Sequence, residues 1–274
     1  MSLFFYCNDM GLTWLREGRL PFVDAASLQD PFVSNCTVKE SDQVAPVSDE
    51  AFRAELSDQY RALPESLSSM MTFEYFQTQA VQKRASIEAG IRQRSQPETL
   101  VISEKTRKNL TFVSLYERAD NPMLWQHYGA KHQGFVIEFD QTHEFFTAEK
   151  YHGDPQLFKP VKYSQERPLK LKQTHPFAPL FHRSEHYASE GEWRVLRPVS
   201  VADKSIDKMN DRFYLHRMPA GIIKSVTLGS MITDELKNTL LNLLKTDLRY
   251  RHIPIFECRL DSTQYLIHRV KREG

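Results

Sequence analysis

Cysteine is scarce: Cys7, Cys36 and Cys258 are the only three in 274 residues, widely spaced and in no CxxC pattern. A disulfide framework is therefore not expected, and a reducing compartment fits. Long apolar runs are missing too. No stretch approaches the roughly 20 residues needed to cross a bilayer. The opening Met1-Ser2-Leu3-Phe4-Phe5-Tyr6 turns polar too soon for a secretory signal. The cytoplasm is the expected location, with no membrane partner. Neither sign of charge dominates, since 36 Lys and Arg face 35 Asp and Glu for a net charge of +1. Such a balance creates no global field to recruit nucleic acid or an anionic membrane. Two local basic groups, Lys162 with Lys170 and Lys172, and Arg269 with Lys271 and Arg272, read as solvated faces.

Familiar site signatures are absent as well. There is no GxxxxGK[ST], no GxGxxG after a strand, no HExxH and no GxSxG, so the corresponding chemistries have no anchor. Of the ten histidines, only His127 with His132 and His182 with His186 lie close together. The second pair would place two imidazoles on one helix face, which falls short of a metal ligand set. No metal is expected.

What the chain does contain is an α+β pattern. Hydrophobic residues make up 41% and charged residues 26%, ordinary for a chain with a real core. Residues 3–6 and 19–23 read as strands on either side of a helix over 11–18, which Gly18 closes in a left-handed conformation. Phe52, Leu56, Tyr60 and Leu63, then Phe73, Phe76, Ile87 and Ile91, recur at helical spacing. They predict a helical insertion over 49–98 within a single α+β domain spanning 1–274. Residues 110–116 and 134–140 alternate as strands, with a short helix over 122–131 between them. A helix is expected over 177–187 and strands over 192–196 and 222–228. An amphipathic helix capped by Thr233 follows, and two closing strands end the pattern. Strands and helices do not alternate strictly, so a mixed, mostly antiparallel sheet is expected rather than a doubly wound one.

Three constellations carry potential chemistry. In Met123-Leu124-Trp125-Gln126-His127-Tyr128, aromatic faces suit a flat heterocycle while His127 and Tyr128 offer hydrogen bonds at its edge. The same residues would equally dock a helix on a sheet. In Ser189-Glu190-Gly191-Glu192-Trp193-Arg194, a strand starting at Glu192 puts Glu192 and Arg194 on one face and Trp193 on the other. Two acids and a guanidinium there suit either stabilisation of developing positive charge or an edge-strand salt bridge. In Leu28-Gln29-Asp30-Pro31-Phe32, Asp before Pro is a turn device.

Taken in order, these segments resemble a bacterial family of unknown function. Its members carry an Asn-Asp-Pro-Phe segment, a Met-Trp-x-His-Tyr helix, a Gly-Phe-x-x-x-Phe-Asp strand and a Tyr-Glu-x-Glu-Trp-Arg strand. Here the counterparts are Gln29-Asp30-Pro31-Phe32, Leu124-Trp125-Gln126-His127-Tyr128, Gly134-Phe135-Val136-Ile137-Glu138-Phe139-Asp140 and Ser189-Glu190-Gly191-Glu192-Trp193-Arg194, followed by Val226-Thr227-Leu228-Gly229. The order of features also resembles the ADP-ribosyltransferase fold. That fold has a first strand and glycine-closed helix (Tyr6, residues 12–18), a central strand with a hydroxylic motif (Ser114-Leu115-Tyr116) and a Glu-x-Glu turn into a late strand (Glu190-Gly191-Glu192).

The second resemblance implies a split sheet and NAD as a substrate, with ADP-ribose passed to a protein or nucleic-acid acceptor, as in a toxin or phage-defence effector. It implies Glu192 as the catalytic carboxylate and Glu190 as the group that orients or deprotonates the acceptor. Tyr128 or Trp125 would stack on nicotinamide, and Tyr6 and His127 would anchor ribose or pyrophosphate. Ser114 and Tyr116 would line the nucleotide site, and Arg194 would hold Glu192 or contact phosphate. Cleavage of the nicotinamide–ribose bond passes through an oxocarbenium-like state, as in glycoside hydrolysis. A carboxylate that binds this state more tightly than the ground state raises the rate. Tyr116 and Gln29 depart from the two family patterns, which leaves open a catalytically silent nucleotide- or nucleic-acid-binding module on the same scaffold. A metal-dependent nuclease using Asp30, Glu190 and Glu192 is a third possibility.

Overall fold

The computed structural model describes residues 2–28, 30–34, 47–95, 102–151, 153–168, 175–208 and 211–273. The chain divides into two compact units, one of residues 1–36, 101–168 and 175–274, the other of 37–100 and 169–174. In chain order the first unit opens with β1 (Ser2–Cys7), α1 (Gly11–Glu17) and β2 (Arg19–Asp24). The second unit contributes α2 (Asp49–Arg61), α3 (Phe73–Val81) and α4 (Arg84–Ser95). The first then resumes with β3 (Leu110–Tyr116), α5 (Pro122–His127), β4 (Phe135–Asp140), β5 (Leu157–Pro160), β6 (Lys162–Ser164) and β7 (His182–Ser184). It ends with β8 (Glu192–Pro198), β9 (Lys204–Lys208), β10 (Asp211–Arg217), β11 (Ile223–Leu228), α6 (Asp234–Thr246), β12 (Ile255–Leu260) and β13 (Ile267–Lys271).

The smaller unit is built as its helical spacing requires. Phe52 and Leu56 of α2 and Ala80 of α3 are buried together, with Phe73, Phe76, Ile87 and Ile91 packed against them. Ser48 and Thr72 cap α2 and α3 by accepting the amides of Ala51 and Tyr75. Each such cap stabilises a helix by about 1 kcal/mol.

The larger unit is α+β, around a mixed and mostly antiparallel open sheet in the order β9-β10-β2-β3-β1-β4-β11-β12-β13. β8 lies along the whole of β3, from Glu192 opposite Tyr116 to Pro198 opposite Leu110, and β5 continues outward from β8. The other edge of β3 is shared by two strands. β1 meets its C-terminal end, Phe4 opposite Tyr116, and β2 its N-terminal end, Val23 opposite Phe112. Between these contacts β1 and β2 diverge, so the sheet is split at β3. Gly18 (φ 61) ends α1 in the expected left-handed conformation, its amide returning to the Leu15 carbonyl, and so turns the chain into β2.

Alternation then sorts the two faces. One face carries Leu3, Phe22, Val113, Leu115, Phe135, Ile137, Val195 and Val226, packed with Leu15 of α1 and Leu240 and Leu244 of α6. Full burial of each such side chain stabilises the fold by roughly 1.5–3 kcal/mol. The opposite face carries Phe4, Tyr6, Tyr116 and Val136, covered by Leu124 and Trp125 of α5. Free Cys7 and Cys258 are both buried, and Cys36 lies outside the described residues. Among the described residues no helix is long and apolar enough to cross a membrane.

Two elements differ from expectation. Residues 177–187 are not one helix: 3-10 turns at Ala178–Phe181 and Glu185–Glu190 flank β7, which pairs in parallel with β6. Strand pairing to a segment distant in sequence overrides the local pattern here. The helix expected over 122–131 stops at His127, because Ala130, Lys131 and His132 take left-handed φ values of 51, 55 and 68° and turn the chain into β4. The hairpin of β9 and β10, pairing Lys204 with Leu215 through Lys208 with Asp211, had no counterpart in the sequence pattern.

Candidate functional site

A cavity of about 920 Å³ opens where the sheet splits, lined on its floor by β3 and β8 and on its sides by β1, β2, α5 and the turn over 185–190. This is near the upper end of the ~300–1,000 Å³ typical of small-molecule sites. The strand register sets the floor: Tyr116 faces Glu192, and Ser114 faces Arg194. All four share the sheet face opposite the main core. Glu192 and Arg194 are buried together on that face, as their spacing predicts, and Trp193 points the other way, its indole donating to Glu117 Oε1.

Glu192 takes four donors. Ser114 Oγ (2.5 Å) and Arg194 Nε (2.7 Å) reach Oε1, while Arg194 Nη2 (3.0 Å) and Arg183 Nη1 (3.0 Å) reach Oε2. The backbone amide of Glu192 donates to the Tyr163 hydroxyl at 2.8 Å, which fixes the start of β8. Burial works against ionisation of this carboxyl. The charges and hydrogen bonds of Arg194, Ser114 and Arg183 outweigh it and hold the group below the ordinary carboxylate range.

Glu190 is held differently. It ends the 185–190 turn, and Gly191 (φ 55) follows in the left-handed region, bringing Glu190 and Glu192 to the same cavity. A Cβ on Gly191 would also lie 3.2 Å from Glu117 Oε2. Glu190 accepts from Arg183 Nη1 through Oε2 at 2.6 Å, and its Oε1 takes no hydrogen bond among the described residues. Burial, only partly offset by Arg183, pushes its carboxyl above the ordinary range. The adjacent carboxylates thus shift in opposite directions, because Glu192 has two guanidinium partners and Glu190 has one.

Arg183 was not singled out by the sequence. It donates to both glutamates, lies 3.9 Å from Asp30 Oδ2, and places its guanidinium 3.9 Å from the centroid of the Tyr187 ring. Its only sequence signal was a position between His182 and His186, in a segment whose pairing with β6 was not legible. Those histidines do not share a helix face: His182 Nδ1 contacts the Ala178 carbonyl at 2.7 Å, and His186 lines the cavity. Asp30 acts as the turn device expected of it, accepting the Phe32 amide at 2.9 Å, and also lines the cavity. Gln29 lies outside the described residues.

The aromatic–histidine helix converges on the same cavity. Tyr128 is 40% exposed and stacks on Tyr116 with ring centroids 5.2 Å apart at 26°. His127 is exposed and on the lining, and the buried Tyr6 lines the cavity too. The Tyr6 O–H is committed to the Arg118 carbonyl at 2.8 Å, however, so it has no free proton to donate to a ligand. Trp125 is not on the lining. It is fully buried, donates its indole N–H to the Ala119 carbonyl at 2.7 Å, and packs edge-on against Tyr6. Stacking of Trp125 on a ligand is corrected accordingly: the ring supports the wall from behind.

Among the described residues no group of three or more His, Cys, Asp and Glu side chains is arranged to hold a metal ion. Arg183 lies among the three acids instead, 2.6 Å from Glu190, 3.0 Å from Glu192 and 3.9 Å from Asp30.

Fold and site together define an α+β protein with a carboxylate–guanidinium cluster at the floor of an aromatic-walled cavity. Residues 124–195 match the model of a family described as a protein of unknown function, DUF2971. The matched stretch runs from α5 into β8 and so contains Trp125, His127, Tyr128, Arg183, Glu190, Glu192 and Arg194. Comparison with curated proteins and with solved structures gives no match.

Proposed function

We propose that the cavity is the active site of an enzyme that cleaves the nicotinamide–ribose bond of NAD and transfers the ADP-ribosyl group to an acceptor. The observation that carries this reading is Glu192, a buried carboxylate kept ionised at the floor of a cavity that the half-exposed Tyr128 ring also lines. The order of sequence features shared with ADP-ribosyltransferases, and the split at β3, support it.

In this reading Tyr128 offers its ring face to nicotinamide. The bond between the ribose anomeric carbon and the nicotinamide nitrogen breaks, and its electron pair neutralises the pyridinium. Positive charge develops on the ribose beside Glu192, whose fixed negative charge acts most strongly at that point. The acceptor oxygen then bonds to the anomeric carbon and gives its proton to Glu190, the carboxylate with an open oxygen and a raised affinity for protons. Losing one preorganised contact of this kind lowers turnover by roughly a hundredfold.

The test is release of nicotinamide from NAD, followed chromatographically with the full chain and with Glu192→Gln, alongside calorimetric titration with NAD. Slow release by the wild-type chain that the substitution removes is expected. Neither binding nor release, with water and with several candidate acceptors, would sink the proposal.

One observation favours a second reading. The four donors on Glu192 fill the roughly four lone-pair sites of a carboxylate, leaving none for a ribose hydroxyl. A catalytically silent nucleotide-binding module would look the same. It predicts NAD binding without nicotinamide release, and an affinity that Glu192→Gln leaves unchanged.

A further inference from the structure

The strand register gives the cavity two unlike ends. On β3 the side chains that face it are Tyr116, Ser114 and Phe112, opposite Glu192, Arg194 and Leu196 of β8. Four residues of a strand span roughly 13 Å, so Phe112 lies about that far from the Glu192 end. Among the described residues, the charged side chains of the lining gather in one cluster. Arg183 joins Glu190 and Glu192 and lies 3.9 Å from Asp30, and Arg194 holds Glu192.

Beyond Ser114 the lining turns apolar. β1 meets β3 only at Tyr116, so beside Phe112 the neighbouring strand is β2. Phe112 pairs with Val23 of β2, and Val23 with Phe213 of β10. All three line the cavity. Trp14 of α1 adds a second ring there, 5.4 Å from that of Phe213 at 50°, and is buried with Met10 against Leu215.

Two donors on this part of the lining are uncommitted. Trp14 is only 5% exposed, and its indole N–H has no hydrogen-bond partner among the described residues. Asn8 spends its Oδ1 on the Met10 amide at 3.0 Å, and its side-chain N–H groups take no partner among the described residues.

Each chemical class of occupant meets this end differently. A charged group would lose hydration against Val23, Phe112 and Phe213. An aliphatic group would fill the space and leave the donors unpaired. A flat heterocycle packs on aromatic rings, and its acceptor atoms take the N–H groups.

We infer that the cavity is bipartite, and that the end lined by Trp14, Val23, Phe112 and Phe213 is a subsite for an uncharged aromatic ring carrying hydrogen-bond acceptors. The subsite does not depend on the reaction proposed at Glu192, since none of its residues takes part in that chemistry. Two sources share the chemistry it selects: the second ring of a dinucleotide whose reacting ring lies at Glu192, and a separate heteroaromatic molecule.

The test titrates the full chain with adenosine and with quinazoline, a heterocycle without a sugar, read by calorimetry and by indole fluorescence. Cyclohexanol is the aliphatic control. Both rings should bind about tenfold or more above cyclohexanol, the scale of an aromatic contact, and change the fluorescence. Trp14→Phe keeps a ring and removes the N–H. It should weaken both rings about fivefold to tenfold, the scale of one hydrogen bond, and abolish the fluorescence change. Phe213→Leu should weaken both rings while leaving Trp14 to report, and thermal unfolding checks that both variants are folded. NAD and nicotinamide mononucleotide then separate the two sources. NAD binding tenfold or more above the mononucleotide, by a margin that Trp14→Phe narrows, assigns the subsite to the second ring of a dinucleotide. Equal binding of the two, with adenosine and quinazoline still bound, assigns it to a separate molecule. No saturable binding of either ring below about 10 mM, cyclohexanol binding as tightly as the rings, or binding that both substitutions leave unchanged would overturn the inference. Nicotinamide release from NAD is followed in the same samples. Ring binding without release defeats the proposed reaction and leaves the subsite standing, and release without ring binding does the reverse.

Discussion

Arg194 meets Glu192 from two residues along the same strand in a two-point contact, Nε to Oε1 at 2.7 Å and Nη2 to Oε2 at 3.0 Å. Alternation on a strand puts both side chains on one face, and the register of β8 on β3 adds Ser114 from across the ladder. Glutamine at position 192 would leave two buried guanidinium groups short of countercharge. Glu192→Gln should therefore lower the unfolding free energy by about 3–5 kcal/mol, read from urea denaturation. A loss under about 1 kcal/mol would mean that the cluster rearranges without penalty.

The opposed shifts of the two glutamates give a signed pH dependence. The Glu192 carboxyl lies below the ordinary range in the folded chain, so its contribution is present above that range and is lost as pH falls through its native value. The Glu190 carboxyl lies above the ordinary range, so its contribution is complete below that range and is lost as pH rises through its native value. Denaturation measured from acid to neutral pH should show both limbs in the wild-type chain. Glu190→Gln should flatten the decline on the neutral side and keep the acid limb. A profile unchanged by that substitution would contradict the burial of Glu190.

Tyr128 and Trp125 sit three residues apart and should fail differently. Tyr128→Ala removes a 40% exposed ring of the cavity lining that stacks on Tyr116. It should weaken ligand binding about tenfold, the upper range of an aromatic stacking contact, with little change in unfolding. Trp125→Phe deletes a buried donor and leaves the Ala119 carbonyl unpaired. It should destabilise the fold by about 1–3 kcal/mol while the affinity of the folded fraction stays the same. Calorimetric titration and thermal unfolding of both variants check the contrast.

Gly191→Ala should disturb the site more than its size suggests. Left-handed backbone costs a residue with a Cβ roughly 1–2 kcal/mol, and the new methyl would press on Glu117 at 3.2 Å. Relief by movement of the turn, rather than of the Glu117 side chain, would carry Glu190 away from Arg183. The expected outcome is a modest loss of stability with a larger loss of ligand affinity, and equal losses would argue against this path.

Much of the fold was legible because its strands obey a period of two. Leu110–Tyr116 and Phe135–Asp140 alternate between the core and the cavity face, and Glu192 and Arg194 share a face as their spacing requires. What could not be read was decided by partners far away in the chain. Arg183 owes its position to pairing of His182–Ser184 with Lys162–Ser164, a contact that overrode a segment resembling a helix. Trp125 was ambiguous for another reason: indole suits both a ligand face and a buried wall, and only the Ala119 carbonyl behind it decides. The commitment of every lone pair on Glu192 was likewise invisible, since Ser114 lies 78 residues away.

The ladder between residues 110–116 and 192–198 has a kinetic consequence. Contacts between such distant segments form late, because closing the intervening loop is entropically opposed until other structure supports it. A refolding chain should therefore regain helical signal well before it regains any capacity to capture a ligand. The interval between those two signals, followed by stopped-flow dichroism and ligand fluorescence, times the moment at which the two halves of the floor find each other.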